Sequence, residues 1–248
     1  MALDDLAPEP WDAFGQEMYA FWTGNRDVQE IIERDDGLVD TSPGPAAYFA
    51  PYEQWSPEQK EAMRYVRGRV LDIGCGAGRV ALHLQEQGHE VMGIDVSPLA
   101  LEVCRQRGVQ NVRLLSITQV NAGLGTFDTI VMLGNNFGLF GNFRRARWLL
   151  RRWQSMTSGD GRIITATLDP YQTTNPDHLA YHVLNRERGR MGGQARIRVR
   201  YRKSVGPWFD YLFVSREEMR DLVAGTGWHV ARTLDGDGPN YIAILEKD

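Results

Sequence analysis

Apolar residues recur along this chain with two different periods, and the change of period divides it. Between residues 11 and 34, Trp11, Phe14, Met18, Phe21, Trp22, Val28, Ile31 and Ile32 fall at helical spacing. They predict two amphipathic helices, broken near Thr23, Gly24 and Asn25. Residues 37–57 carry Gly37, Pro43, Gly44, Pro45, Pro51 and Pro57 and read as loop. Tyr48, Phe49, Tyr52 and Trp55 sit within that loop, so it is expected to lie against the body of the protein. Ser56 is placed to cap a short helix that has Pro57 at its first position.

From Arg69 onward short apolar runs alternate with helical patterns. Strands are expected at Val70–Ile73, Glu90–Asp95, Val112–Leu115, Phe127–Leu133 and Gly161–Leu168. Helices are expected near Gly78–Gln87, from Ser97 to Arg107, and over Asn142–Met156. Such alternation implies a parallel sheet covered by helices on both faces. Residues 169–214 differ in character. Ala195 to Arg202 alternates strictly between apolar residues and arginine, as a half-exposed antiparallel strand does. Trp208–Val214 then reads as its hairpin partner. Ser215 and Glu218 form a capping-box pattern at a helix start, and Trp228–Leu234 and Tyr241–Glu246 complete the chain as two strands.

Composition narrows the picture modestly. The 248 residues, 42% hydrophobic, suffice for one large α/β domain with an appended cap. A net charge of −4 gives no overall attraction toward nucleic acid or an anionic membrane. Met1–Pro10 is acidic and lacks the apolar core of a secretory signal. No apolar run approaches the roughly 20 residues needed to span a bilayer. Cys75 and Cys104 have no Cys or His neighbour at metal spacing, so no metal is expected. Both are read as reduced thiols of a cytoplasmic protein.

The candidate chemistry begins at Gly74, Gly76 and Gly78, between a predicted strand and a predicted helix. Glycines there let the backbone approach a ligand and turn sharply into a helix whose N-terminus faces it. A tight packing turn is the bland alternative. Asp95 ends the next strand. Alone it reads as a helix-capping carboxylate; with the glycines it suits the two ribose hydroxyls of a bound nucleoside. A dinucleotide fingerprint wants a third, wider-spaced glycine where this chain has Arg79. Asp72, just before the loop, opposes a pyrophosphate and suits a cationic amino-acid head group. A nicotinamide or flavin dinucleotide is therefore the weaker candidate.

Three blocks carry a family resemblance: Val70–Arg79, Gly93–Pro98 and Phe127–Leu133. With these the chain resembles the class I S-adenosylmethionine-dependent methyltransferases. The resemblance implies a doubly wound α/β fold with a seven-stranded, mostly parallel sheet of order 3-2-1-4-5-7-6, its last strand antiparallel. It implies S-adenosyl-L-methionine as cofactor, with Gly74, Gly76 and Gly78 lining the methionine and ribose end and Asp72 and Cys75 as further cofactor-binding candidates. Asp95 would hold the ribose, Val96 would pack near the adenine, and Leu133 and Gly134 would close the floor. Ser116 and Ile117 stand where the family often has an acidic adenine contact. Asn135 and Asn136 replace the Pro-containing motif of enzymes that methylate nucleic-acid bases. They either orient a substrate or form an Asx turn. Asp169-Pro170-Tyr171 resembles that motif but follows the wrong strand.

Methyl transfer from a sulfonium needs alignment and exclusion of water more than it needs a base. The candidate catalytic groups are Tyr171, Asp169 and His178, the last four residues before His182. Tyr19, Trp22, Tyr48, Phe49 and Trp208 are candidate aromatic walls for the acceptor; packing of a cap is the alternative for each. Arg144, Arg145, Arg147, Arg151 and Arg152 read as the solvated face of a helix whose Phe143, Trp148, Leu149 and Trp153 face inward. Arg186, Arg188, Arg190, Arg196, Arg198, Arg200, Arg202 and Lys203 can meet a phosphate, a carboxylate or RNA. A charged strand face that discourages edge pairing explains part of that cluster.

The expected organisation is an N-terminal helical and aromatic cap (1–66), a methyltransferase core (67–168 and 215–248), and an inserted lid with a β-hairpin (169–214). The expected activity is methylation of a nucleophilic N or O of a small-molecule acceptor by a monomer or homodimer that binds no membrane. The alternatives are an RNA or protein methyltransferase using 186–203 and a non-catalytic S-adenosylmethionine-binding protein.

Overall fold

The computed structural model describes residues 9–42 and 44–248. Residues 1–8, most of the acidic N-terminal stretch, and Pro43 lie outside the described residues. The central sheet has seven strands: β3 (Val70–Ile73), β4 (Val91–Asp95), β5 (Val112–Leu114), β6 (Phe127–Met132), β7 (Thr157–Leu168), β11 (Trp228–Asp235) and β12 (Asn240–Lys247). They lie in the order β5-β4-β3-β6-β7-β12-β11. Counted along the chain this is the expected 3-2-1-4-5-7-6. The strands β3 to β7 pair in parallel, and β12 runs antiparallel to both neighbours.

Period-2 alternation divides the core between the two faces. Leu71 and Ile73 of β3 join Ile130 and Ile163 beneath α6 (Phe143–Trp153) and α8 (Arg216–Val223), where Leu149, Trp153 and Leu222 are buried. Val70 faces the other way, with Val131 and Ile164, toward α3 (Pro57–Met63), α4 (Arg79–Glu86) and α5 (Pro98–Gln106). The Ser215–Glu218 capping box opens α8 as expected, while Ser56 makes no capping bond to α3 and turns its hydroxyl to Glu58. On α6 only Leu149 and Trp153 of the four expected residues are buried. Phe143 and Trp148 are exposed, covered by the guanidinium groups of Arg147 and Arg152.

The N-terminal segment departs from its helical expectation. α1 (Ala13–Trp22) forms, but Ile31 and Ile32 belong to a strand, β1 (Ile31–Arg34), followed by β2 (Val39–Thr41) and the short helix α2 (Pro45–Phe49). β1 pairs with β8 (Gln194–Tyr201) of the inserted segment, Ile31 opposite Arg200. Two adjacent β-branched residues suit a strand once a partner exists, and that partner lies far along the chain. The insertion also holds α7 (Pro176–Glu187), β9 (Ser204–Val205) and β10 (Phe209–Leu212). Together these strands form a second, antiparallel sheet of order β10-β8-β1-β2, with β9 attached to β8.

β8 is therefore an interior strand, and its arginines guard no edge. Arg198 and Arg200 both bind Glu33, at 2.8 Å, and Arg196 meets Asp210 at 3.2 Å. The alternating residues Ala195, Ile197 and Val199 face a cavity instead. Among the described residues no helix is long and apolar enough to cross a membrane.

Candidate functional site

β3 ends in a loop whose three glycines have different duties. All three have left-handed φ values: 72° at Gly74, 52° at Gly76 and 82° at Gly78. A side chain at Gly74 would strike Asn136 Nδ2, which donates to the carbonyls of Ile73 at 3.1 Å and Gly74 at 2.9 Å. One at Gly78 would come within 2.6 Å of Cys104 Sγ, so Gly78 lets α4 pack against α5 and does not line the cavity. One at Gly76 would meet only the Phe14 ring, at 3.6 Å. Gly76 is thus the glycine that opens the loop toward a ligand.

Two buried carboxylates flank the loop. Asp95 accepts from the backbone N–H of Gly76 at 2.9 Å and of Ser97 at 3.0 Å. Burial raises its pKa against the opposing pull of these N–H groups. Each oxygen keeps capacity for a ribose hydroxyl. Asp72 is 2% exposed, and among the described residues its Oδ2 has no hydrogen-bond partner. Burial pushes its pKa up to about 7, with Arg79 pulling down and Asp95 pushing up. An orphaned carboxylate oxygen beside a glycine loop fits the ammonium and sulfonium of S-adenosylmethionine. It does not fit a pyrophosphate. Val96, Ser116, Ile117, Leu133 and Gly134 line the same end of the cavity.

α1 seals this end. Asp12 caps α1 by accepting from Gly15 N at 2.9 Å, and it also accepts from Ser97 Oγ at 2.9 Å and Leu99 N at 3.2 Å. One side chain therefore ties the N-termini of α1 and α5 together over the nucleoside pocket.

A cavity of about 860 Å³ continues from the loop to the antiparallel sheet. Tyr48, Asn135, Asp169 and His178 line it. Tyr171 does not: its hydroxyl donates to Glu218 at 2.5 Å, and burial together with that carboxylate pushes its pKa up to about 12. Tyr19, Trp22 and Trp208 are also off the wall. Tyr19 packs beside Met18 and Ala100, Trp22 donates to Gln106 at 2.8 Å, and Trp208 carries the Arg198 guanidinium over its ring. Asn136 lines the cavity but spends its amide on the loop carbonyls.

Other wall residues carried no readable signal in the sequence. Phe14, Glu30 and Tyr211 line the cavity, and the Tyr211 hydroxyl donates to the Asn135 carbonyl at 2.7 Å. Arg145, expected on a solvated face, turns inward and donates to the carbonyls of Phe140 and Leu139. Asp12 alone had a local cue, a carboxylate placed just before an apolar helical run.

Fold and site together define an α/β domain whose glycine loop and two buried carboxylates open into a covered cavity. Residues 70–161 match a protein family described as a methyltransferase domain. A solved structure, a SAM-dependent methyltransferase from Bacteroides fragilis in complex with S-adenosyl-L-homocysteine, superposes with a TM-score of 0.81 at 26% identity, covering 98% of both chains. Over 72 residues the chain is 38% identical to the 2-heptyl-1-hydroxyquinolin-4(1H)-one methyltransferase of Mycobacteroides abscessus, covering 27% of this chain and 32% of that one. Over 127 residues it is 30% identical to an uncharacterized RNA methyltransferase of Enterococcus faecalis, covering 47% and 25%. The matches span 35%, 55% and 32% of the length of three curated relatives. By the matched domain and the shared fold the chain resembles an S-adenosylmethionine-dependent methyltransferase, with S-adenosylmethionine as its cofactor.

Proposed function

We propose that the protein methylates a nucleophilic nitrogen or oxygen of a small organic acceptor in the cytoplasm, with 1–66 as cap, 67–168 and 215–248 as core and 169–214 as lid. The observation that carries this reading is the chamber itself. It runs from Asp95 and Gly76 to a roof of Ala195, Ile197 and Val199. Its size is at the upper end of the roughly 300–1,000 Å³ common for small-molecule sites, which suits a cofactor plus a modest acceptor. The arginine face of β8 points the other way, and Glu33 neutralises its centre. A polyanion would need those cations free. The relative from Mycobacteroides abscessus, named for a quinolone, supports an acceptor of this kind.

The cofactor supplies an electrophilic methyl on a sulfonium. The chain's own residues do the rest. Asp95 orients the ribose, and Asp72 offers its unpaired oxygen to the positive end. The covered walls exclude water from the line of attack. Asp169 and His178 stand on the wall as proton acceptors for acceptors that must lose one.

The test uses S-adenosylmethionine labelled in its methyl group. The protein is incubated with cell extract, which is then separated into low-molecular-weight, RNA and protein fractions. Label is expected in the low-molecular-weight fraction. Label confined to RNA or protein would overturn the reading, and thermal stabilisation by NADH alone would overturn the cofactor half.

A further inference from the structure

We infer that Glu30 is the acceptor-binding carboxylate of this chamber, and that the acceptor is an apolar amine whose N–H group it receives. The inference rests on the small-molecule reading and narrows it to one chemical class.

Glu30 precedes β1 and lines the cavity, as do Ile32 and Arg34 two and four residues on. It is 3% exposed. Its carboxylate receives the hydroxyls of Ser42 and Tyr48, the latter at 3.2 Å. Tyr48 stands edge-on to Phe14 at 5.6 Å, and Phe14 is the ring that faces Gly76. Glu30 is thus linked through two side chains to the cofactor loop. Tyr211, hydrogen-bonded to Asn135 at the end of the fourth core strand, extends the same wall.

The charge around Glu30 is one-sided. Among the described residues it has no ion-pair partner. Arg34 is committed to Asp36, at 2.7 Å, and to the Asp177 carbonyl. Arg145 is committed to the carbonyls of Phe140 and Leu139. Beside Glu30 lies Glu17, fully buried, whose only hydrogen-bond partner among the described residues is Glu30 itself. Burial first, then the charge of Glu30 and the hydrogen bond to it, raise the Glu17 pKa to about 10, so Glu17 stays neutral and donates its proton in that hydrogen bond to Glu30. A buried carboxylate is normally matched by a cation, and here the described residues offer only neutral donors.

A carboxylate has about four acceptor positions; the two hydroxyls and the Glu17 carboxyl fill three. What remains suits an N–H donor. The aromatic rings of Phe14, Tyr48 and Tyr211 favour a cation further, while Ile32, Ile197 and Val199 ask for an apolar body.

The chemistry balances. A bound ammonium passes one proton to Glu30, and the freed nitrogen lone pair forms the new bond to the methyl carbon. The carbon–sulfur bond breaks, and its electron pair stays on sulfur as a neutral thioether. The product leaves as a protonated N-methylamine, and Glu30 returns its proton to solvent.

Thermal shift of the protein saturated with S-adenosyl-L-homocysteine tests this without turnover. The probes are benzylamine, phenethylamine and tryptamine, each against its alcohol isostere. At least one amine is expected to raise the melting temperature of the wild type by about 3 °C or more, with no comparable shift from its alcohol. Glu30→Gln should lose the amine shift and keep the shift caused by S-adenosyl-L-homocysteine. Glu30→Asp, which keeps the charge but withdraws it, should retain part of the amine shift and stands in if the glutamine variant does not fold. Alcohols that stabilise as well as amines, an amine shift unchanged in Glu30→Gln, or no shift with any amine would overturn the inference. No shift from S-adenosyl-L-homocysteine itself would instead overturn the reading on which it rests.

Discussion

At Asp72 burial leaves one carboxylate oxygen without a donor, and that costs the unliganded fold stability. The pKa is raised from 3.8 to about 7, so the native state holds a proton that the unfolded chain has released. The group's stabilising contribution is complete below 3.8 and is lost as pH rises through about 7. Asp72→Asn should therefore melt higher than the wild type at pH 8 and no differently at pH 3.5. Its affinity for S-adenosylmethionine should fall about 10-fold or more, the equivalent of one charge-assisted hydrogen bond. Melting curves across pH and calorimetric titration read the two effects separately. A variant that binds the cofactor as tightly as the wild type would remove Asp72 from the site. Tyr171 gives the opposite case. With its hydroxyl on Glu218 and off the wall, Tyr171→Phe should leave the rate of methyl transfer within about 3-fold, less than loss of a general acid–base group would cost.

Among the elements, α1 packs against both α5 of the core and β8 of the antiparallel sheet. Its Asp12 cap holds three donors, two of them on or near the start of α5. Asp12→Ala should lower stability by about 1–2 kcal/mol, the usual cost of a lost N-cap, in urea denaturation. It should weaken cofactor binding as well, because the same side chain closes the nucleoside pocket. Equal cofactor affinity in variant and wild type would show that α1 covers the pocket without shaping it. The strand β8 makes a related point. Its strict alternation gives a paired arginine face outside and an apolar roof inside, and only the interior position of the strand makes both faces necessary.

On the scale of the molecule, two sheets of unequal burial share one cavity. The strands β3 and β4 are buried throughout, whereas β1, β2 and most of β8 are half-buried or exposed. Backbone amides of the core strands should exchange hydrogen slowly with or without ligand. Those of β1, β8 and β10 should exchange faster in the free protein and slow down when cofactor and acceptor fill the chamber. Exchange in the lid sheet that ignores both ligands would separate it from substrate binding.

The sequence by itself determined the core. Its strands and helices follow from local apolar periods. The glycine loop, Asp72 and Asp95 lie within 24 positions of one another, close enough for the pocket to be read along the chain. The tertiary structure decided the far wall of the cavity. Ile31 and Ile32 fit a helical period until β8, some 165 residues away, offers a pairing edge. Glu30 and Tyr211 are isolated in the sequence and become neighbours of one wall only when the two lid segments form a single sheet. Tyr171 sits in a promising stretch, yet the nearby Glu218 claims its hydroxyl. Local patterning specifies elements because each residue's face is set by its immediate neighbours. A chamber assembled from distant strands is specified only by which side chains the folded sheets bring face to face.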